Sequence, residues 1–255
     1  TLISLCSPQN PTGTTFTRND LEAICDLVLE ENRRRGAGEK KLYVLYDQMY
    51  WHLTYGDIQH YNPVSLKPEM KAYTIFIDAI SKVFAATGVR VGWALGPATI
   101  LSKMKAINTH LGAWAPMAEQ KAVAAFLPQK AAITNYLSGF KAAVSERLDA
   151  IHKALQQLKE EGFAVDSIAP QAAIYLTIKL DLAGSVTAAG NKLNNQNDVT
   201  AYVLDDAKIA VVPFYAFGAP QDSPWYRLSV GTCKVEDIPQ MIAQLRASLA
   251  RLKQN

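Results

Sequence analysis

The first half of the sequence alternates short, almost wholly apolar runs with a segment of helical periodicity, and this alternation limits the folds open to the chain. The strand-like runs are residues 2–6, 42–46, 73–77 and 91–95. Near-continuous apolar character is typical of strands covered on both faces, as in the mainly parallel sheet of an α/β protein. Between the first two runs, residues 18–35 have helical spacing, and Thr17 precedes them as an N-cap. The pattern predicts an α/β domain.

The second half has a different pattern. Apolar residues recur every three or four positions over residues 133–158 and stop at Gly162, which predicts one long helix that leads from one domain into the next. Residues 174–180 then alternate apolar and polar side chains, which predicts a strand with one face solvated or thinly covered. The remaining predicted elements are a helix near 197–207, strands near 208–213 and 225–230, and a helix near 235–252. We expect domains at 1–140 and 141–255, the second a smaller α+β domain.

Composition excludes several classes of function. The net charge of +3 over 255 residues is too small to favour nucleic acid or an anionic membrane surface as a partner, and no apolar run is long enough to span a membrane. The three cysteines have no paired spacing and the four histidines have no metal-ligand spacing, which favours a reducing compartment, the cytoplasm, and predicts no metal site. The sequence starts with Thr1 directly before a core-like strand, so we expect it to be the C-terminal part of a longer protein, or a processed or cleaved product.

Polar residues stand where the predicted strands of the first half end. The first strand leads into a loop that contains Asn10, the second ends in Asp47 with Tyr50 three residues on, and Ser81 and Lys82 follow the third. Ligands of open α/β sheets bind outside the carboxyl ends of the strands, so these positions are candidates for a site. Each residue taken alone also fits a structural role, such as a turn, a surface position or aromatic packing.

Four motifs in order make the pattern specific. They are Asn10–Gly13 (NPTG), Asp47–Tyr50 (DQMY), Ser81–Trp93 (SKVFAATGVRVGW) and Tyr226–Ser229 (YRLS). Together they resemble the class I/II aminotransferases that depend on pyridoxal phosphate (PLP) and have fold type I. The resemblance covers essentially the whole chain, but only the later part of such an enzyme. It implies a partial large PLP-binding domain with a mainly parallel sheet at 1–140 and the small C-terminal domain at 141–255.

The resemblance implies a role for each residue that binds the cofactor ring. Lys82 would hold the PLP aldehyde as an imine (Schiff base), and its freed amine would move the proton between the substrate Cα and the cofactor. Asp47 would pair with the pyridine nitrogen and keep it protonated, so that the ring accepts electrons. Tyr50 and Asn10 would hydrogen-bond the phenolic oxygen of PLP.

Anion binding and partners follow from the same resemblance. Arg90 and Ser81 would bind the phosphate, and Arg227, with Asn10, the α-carboxylate of the substrate. Ala79 departs from the pattern, because many relatives have Ser or Thr there to bind the phosphate. The partners implied are an amino acid and a 2-oxo acid, and a second copy of the complete protein in a homodimer. The segment 109–114 would face that second copy.

Alternative functions stay open on the sequence alone. The same residues serve a PLP-dependent C–S lyase or a cyclopropane-forming synthase, and the effector domains of some transcription regulators resemble aminotransferases. A fragment with only a folding or interaction role is a third class. An upstream helix-turn-helix would favour the regulator, and an upstream glycine-containing phosphate loop the enzyme. The amino acid that serves as substrate is not indicated.

The phosphate loop and the aromatic residue that stacks on the cofactor lie, in such enzymes, upstream of the NPTG motif. We therefore expect the isolated 255-residue chain to bind PLP weakly or not at all, and the sheet to have open edges that favour aggregation or a partner. Titration of the chain with PLP checks this by absorbance. A stable imine band at micromolar cofactor would contradict the expectation.

Overall fold

The computed structural model describes residues 1–253, and these divide into two compact units. The first unit contains Thr1–Gln9 and Thr14–Gly139, and the second contains Asn10–Gly13 and the chain from Phe140 onward. The four residues Asn10–Gly13, which the sequence places with the first domain, thus group with the second unit. The fold is α/β with a mostly parallel sheet and a smaller antiparallel sheet, as predicted.

The sheet of the first unit has four strands in the order β1-β2-β3-β4. They are β1 (Leu2–Cys6), β2 (Tyr43–Asp47), β3 (Thr74–Ala79) and β4 (Gly92–Leu95). The first three strands are parallel, and β4 runs antiparallel to β3. Strands β1 and β4 are therefore the two outer strands of this sheet, each with a single neighbouring strand.

Burial differs between the central and the edge strands. In β2 and β3 most side chains are buried or partly buried, as the apolar runs predict. In contrast, Leu2 on β1 and Leu95 on β4 are each more than half exposed. The expectation that all four strands are covered on both faces is therefore wrong for the edge strands. Apolar sequence alone cannot distinguish a strand with two neighbours from one with a single neighbour.

Helix α1 covers one face of this sheet. It spans Arg18–Arg34, and Thr17 caps it in a capping box: the Thr17 hydroxyl accepts from the Asp20 amide, and the Asp20 carboxylate accepts from the Thr17 amide. Its buried apolar side chains, Leu21, Cys25 and Val28, belong to one hydrophobic cluster with residues of β2. The predicted helix and its cap are confirmed. The other helices of this unit are α2 (Pro63–Leu66), α3 (Ile80–Val83), α4 (Ala98–Leu111) and α5 (Met117–Phe126), and the long α6 (Lys130–Glu160) begins in it.

The second unit is built around an antiparallel sheet in the order β5-β6-β8-β7. Its elements are β5 (Val165–Ser167), β6 (Tyr175–Leu180), α7 (Gln196–Ala207), β7 (Val212–Pro213), β8 (Trp225–Ser229) and α8 (Ile238–Ala250), with the part of α6 from Phe140 on. Strand β6 is buried on both faces rather than solvated on one, because five of its six residues are buried. Thr177, on the face predicted to be solvated, donates its hydroxyl to the Thr12 carbonyl at 2.8 Å.

Gly13 explains why residues 10–13 group with the second unit. Its carbonyl accepts from the Ala172 amide at 2.9 Å, and its φ of +70° lies in the left-handed region that favours glycine. A Cβ at this position would overlap the carbonyl oxygen of Tyr175 and lie 3.2 Å from that of Ala172. Only a residue without a side chain allows this close approach of two backbones.

We expect Gly13→Ala to lower the free energy of unfolding by about 2 kcal/mol or more, because it adds a backbone clash to the left-handed strain. Gly56→Ala is the matched control, since Gly56 also has a left-handed φ (+55°) but no atom lies within 4 Å of an added Cβ. The control should lose only about 1 kcal/mol. Urea denaturation measures both, and equal losses would show that the backbone approach at Gly13 is unimportant.

Candidate active site

The candidate residues of the first unit lie along one edge of its sheet, namely the edge formed by the carboxyl ends of the three parallel strands. Because β1, β2 and β3 are parallel, their carboxyl ends lie at the same edge, and the register aligns Cys6 with Asp47 and Asp47 with Ile77. Strand β4 is antiparallel and begins at this same edge, where Gly92 pairs with Ala79. The turns that carry Tyr50, Lys82 and Arg90 therefore all leave from one side of the sheet.

Asp47 is the last residue of β2, and Tyr50 lies in the turn that follows. One carboxylate oxygen of Asp47, Oδ1, accepts from the Met49 amide at 3.0 Å, and its backbone carbonyl accepts from the Ser7 amide at 2.9 Å. Tyr50 is buried, and its carbonyl accepts from the Leu53 amide. Asp47 is thus both a turn former and a partly exposed carboxylate at the end of a strand. The bond from the Met49 amide uses Oδ1 and not Oδ2.

Lys82 lies on α3, a single turn that directly follows β3. Ile80 and Val83 on the same turn are buried, and Phe84 packs edge-on against Phe126 with ring centroids 5.2 Å apart. These apolar anchors fix the backbone of the turn, while Lys82 itself is partly exposed. The arrangement suits a reactive amine on a rigid support.

Ser81 and Arg90 lie near the two ends of the connection between β3 and β4, residues 80–91. The Ser81 carbonyl accepts from the Thr87 hydroxyl at 3.1 Å, and the exposed Arg90 donates from Nη1 to the Thr87 carbonyl at 2.9 Å. The remaining guanidinium donors of Arg90 are not used in this bond, so they can bind an anion. Ala79, at the N-cap of α3, makes no side-chain capping bond.

Asp78 is a residue that the sequence reasoning missed. It is the penultimate residue of β3 and only 7% exposed. Its Oδ2 accepts from the Trp51 indole at 3.0 Å and its Oδ1 from the Ala79 amide at 2.7 Å. Burial raises the pKa of this carboxyl to about 6, although the bonds from Ala79, Trp51 and Gln48 lower it. The sequence feature that could have identified Asp78 is an acidic residue at the end of an apolar, strand-like run.

The second unit brings Asn10 and Arg227 together. Arg227 on β8 donates from Nη1 to the Asn10 side-chain carbonyl at 2.8 Å. Its guanidinium carbon lies 4.7 Å from the ring centre of Tyr175 and 5.0 Å from that of Phe217. Among residues 1–253 its buried Nε has no hydrogen-bond partner. The guanidinium is thus held by an amide and two aromatic rings, with a donor left for a carboxylate.

The structure therefore groups the predicted residues in two sets. Asp47, Tyr50, Ser81, Lys82 and Arg90 lie at one edge of the first unit's sheet. Asn10 and Arg227 are hydrogen-bonded within the second unit. Within the described part of the chain there is no group of three or more side chains that could hold a metal ion, and no helix long and apolar enough to cross a membrane.

Comparisons with known proteins show to which family the chain belongs. The model of the family described as aminotransferase class I and II matches residues 1–245. Aspartate aminotransferase of Rhizobium meliloti (strain 1021) is 28% identical over 253 residues, which are 98% of this chain and 57% of that protein. A bifunctional aspartate aminotransferase and glutamate/aspartate-prephenate aminotransferase of Petunia hybrida is 31% identical over 99% of this chain and 48% of its own length.

Solved structures give the same picture. The crystal structure of the Rhizobium meliloti aspartate aminotransferase superposes with a TM-score of 0.84 at 26% identity, over 99% of this chain and 58% of that one. An aromatic aminotransferase from Pyrococcus horikoshii superposes with a TM-score of 0.81 at 26% identity, over 98% and 60%. The chain thus spans about half the length of the relatives it matches. It belongs to the class I and II aminotransferase family, whose members depend on PLP.

Proposed function

We propose that the protein carrying this chain is a PLP-dependent aminotransferase that moves an amino group between an amino acid and a 2-oxo acid, with Lys82 as the residue that holds the cofactor. The observation that carries the proposal is the placement of Asp47 and Lys82 after adjacent parallel strands, at one edge of the sheet. A carboxylate and an amine at this edge match the pyridine nitrogen and the aldehyde of PLP, respectively. The named relatives are aspartate and prephenate aminotransferases, which supports an amino-acid substrate.

The residues of the first unit fit PLP by their chemistry. Lys82 supplies an amine for the aldehyde, Asp47 a carboxylate for the pyridinium, and the buried Tyr50 a phenol for the ring oxygen. The exposed guanidinium of Arg90 and the hydroxyl of Ser81 would bind the phosphate. When bound, the cofactor supplies an electron sink for the substrate's Cα–H bond.

Each residue then has a definite task. The free amine of Lys82 would take the proton from the substrate Cα and deliver it on the cofactor side, and α3 would hold Lys82 in place. Asp47 would pair with the pyridine nitrogen and keep it protonated. Arg227 is fixed by Asn10, Tyr175 and Phe217, so that it binds the substrate α-carboxylate with little loss of side-chain entropy.

A homodimer and a cytoplasmic location complete the proposal. Helices α4 and α5 of the first unit and the segment between them expose Ile107, Leu111, Trp114 and Met117, of which Leu111 is 73% exposed. An apolar surface of this kind is typical of a protein–protein interface. The cysteines of the described chain are all free, which is in keeping with a reducing compartment.

Reductive trapping tests the role of Lys82. We expect borohydride treatment of the chain with millimolar PLP to modify Lys82 more than Lys103, a lysine on α4 that serves as the internal reference. Peptide mass spectrometry measures the two occupancies. In Lys82→Ala, the modification of Lys103 should be unchanged, and equal labelling of both lysines in the wild type would refute the assignment.

The same substitution tests the reaction. In the full-length protein that carries this chain, with PLP, an amino acid and 2-oxoglutarate, the wild type should form glutamate and the matching 2-oxo acid, and Lys82→Ala should lose this activity about a thousandfold or more, whereas the 255-residue chain alone is expected to be incomplete. Release of ammonia or a thiol without glutamate would identify a lyase instead.

Trp114 tests the proposed interface. We expect Trp114→Ala to weaken self-association by about tenfold or more, because a large aromatic side chain, 52% exposed here, would become buried at the contact. Analytical ultracentrifugation measures the dissociation constant. Tyr61→Ala, an aromatic truncation away from α4 and α5, is the control, and unchanged dimerisation and kinetics of the Trp114 variant would argue against this surface as the interface.

A further inference from the structure

A buried carboxylate connects the two turns of the first unit that carry Asp47 and Lys82. Trp51 belongs to the turn after β2, one residue beyond Tyr50, and Ala79 is the N-cap of the α3 turn that bears Lys82. Asp78 accepts a hydrogen bond from each of them, at 3.0 Å from the Trp51 indole and at 2.7 Å from the Ala79 amide. One side chain therefore bridges two segments that are far apart in the sequence.

The carboxylate of Asp78 is buried although burial of a charge is costly, which indicates that its hydrogen bonds have a role beyond stabilising the charge itself. Asp78 is 7% exposed and faces a cavity of about 440 Å³ that is lined mainly by apolar and aromatic side chains. An apolar residue at this end of β3 would avoid the desolvation of a charge. What the carboxylate offers instead is two acceptor oxygens with a fixed spacing, which a neutral side chain of similar size lacks.

We propose that Asp78 is a positioning residue for the proposed reaction, which holds the Asp47–Tyr50 turn and the Lys82 turn in register through its bonds to Trp51 and Ala79. The inference rests on the proposed function, because it concerns the geometry between the residues that would bind PLP. Asp78 itself acts through Trp51 and Ala79. If the bridge is removed, the amine of Lys82 and the carboxylate of Asp47 lose their common support.

Several charged groups face Asp78 and bear on its protonation. Asp47 on β2 raises the pKa of Asp78, and His52 and Lys130 line the same cavity from the turn after β2 and from α6. His52 also stacks on Trp51 with ring centroids 3.5 Å apart. His60, 6.3 Å from Trp51, has its pKa lowered to about 4 by burial, so it stays neutral where Asp78 titrates.

Protonation should change the bridge in a definite direction. With a pKa of about 6, Asp78 is a carboxylate at pH 7.5 and accepts from both donors. Below that pKa the carboxyl is neutral and one of its oxygens carries a proton, so its donors Trp51, Ala79 and Gln48 lose a charged acceptor. Asp78→Asn imitates this at every pH, because an amide can accept at only one of its two terminal atoms.

Nuclear magnetic resonance on the 255-residue chain without cofactor tests the inference. In the wild type, we expect the Trp51 indole N–H resonance, assigned with Trp51→Phe, and the backbone amides of Ala79 and Lys82 to shift together with a midpoint near pH 6. Asp78→Asn should abolish this shared transition. It should also speed amide exchange at Phe84, whose N–H closes the α3 turn on Ile80, by about tenfold.

Two variants serve as controls. His52→Phe keeps an aromatic ring against Trp51 but removes the neighbouring imidazole, so the transition should persist. Asp57→Asn changes an exposed carboxyl in the same segment and should leave the resonances of Trp51 and Lys82 as in the wild type. If Asp78→Asn is poorly folded, the wild-type and His52→Phe titrations alone decide the matter.

The outcomes separate this inference from the proposed function. An indole that titrates while the Lys82 amide does not, or a transition lost in His52→Phe, would overturn the positioning role. In the trapping experiment, Asp78→Asn should lower the labelling of Lys82 relative to Lys103 severalfold. Absence of preferential Lys82 labelling in the wild type would count against the PLP assignment and leave the resonance test of the bridge intact.

Discussion

The direction of β4 is the constraint on which the candidate site of the first unit depends. Residues 80–91 connect β3 to β4, and β4 returns antiparallel along β3, so that Arg90 arrives at the edge from which Lys82 leaves. A parallel β4 would start at the opposite edge, about 13 Å away for a strand of four residues. It would also need a longer crossover connection, usually with a helix of several turns. One reversal of strand direction thus brings the guanidinium of Arg90 and the amine of Lys82, for which we propose the phosphate and the aldehyde of PLP as partners, to the same ends of the strands.

Much of the fold could be predicted from local patterns. The capping box at Thr17 and the end of α6 before Gly162, with its φ of +93°, depend on residues within one or two turns of each other. The mostly parallel sheet follows from its apolar runs. Helices α4 and α5 were missed because their apolar residues are largely exposed and define no single buried face: α4 has no buried residue, and α5 only Val123.

The site was predictable where chemistry depends on residue type and not where it depends on distant contacts. Lys82 and Asp47 are found by their motifs, and their roles stay predictions until tested by experiment. Asp78 could not be found in this way, because its partner Trp51 lies 27 residues earlier and only the folded sheet brings them together. The grouping of Asn10 with Arg227 has the same cause: 217 residues separate them, and Gly13 decides on which unit the Asn10 segment packs.

Backbone strain in the loop between β3 and β4 is best explained by the path of the chain. Arg90 has a φ of +60° and Ala85 a φ of +48°, and each costs about 1–2 kcal/mol relative to a relaxed conformation. Ala85 has no side chain able to bind a ligand, so a left-handed φ in this loop does not by itself mark a functional residue. Both residues instead allow the chain to reverse between α3 and β4 within residues 80–91. At Arg90 a glycine would relieve the strain but would remove the guanidinium, so under the proposed function this position combines the left-handed φ of the turn with the cation for the phosphate.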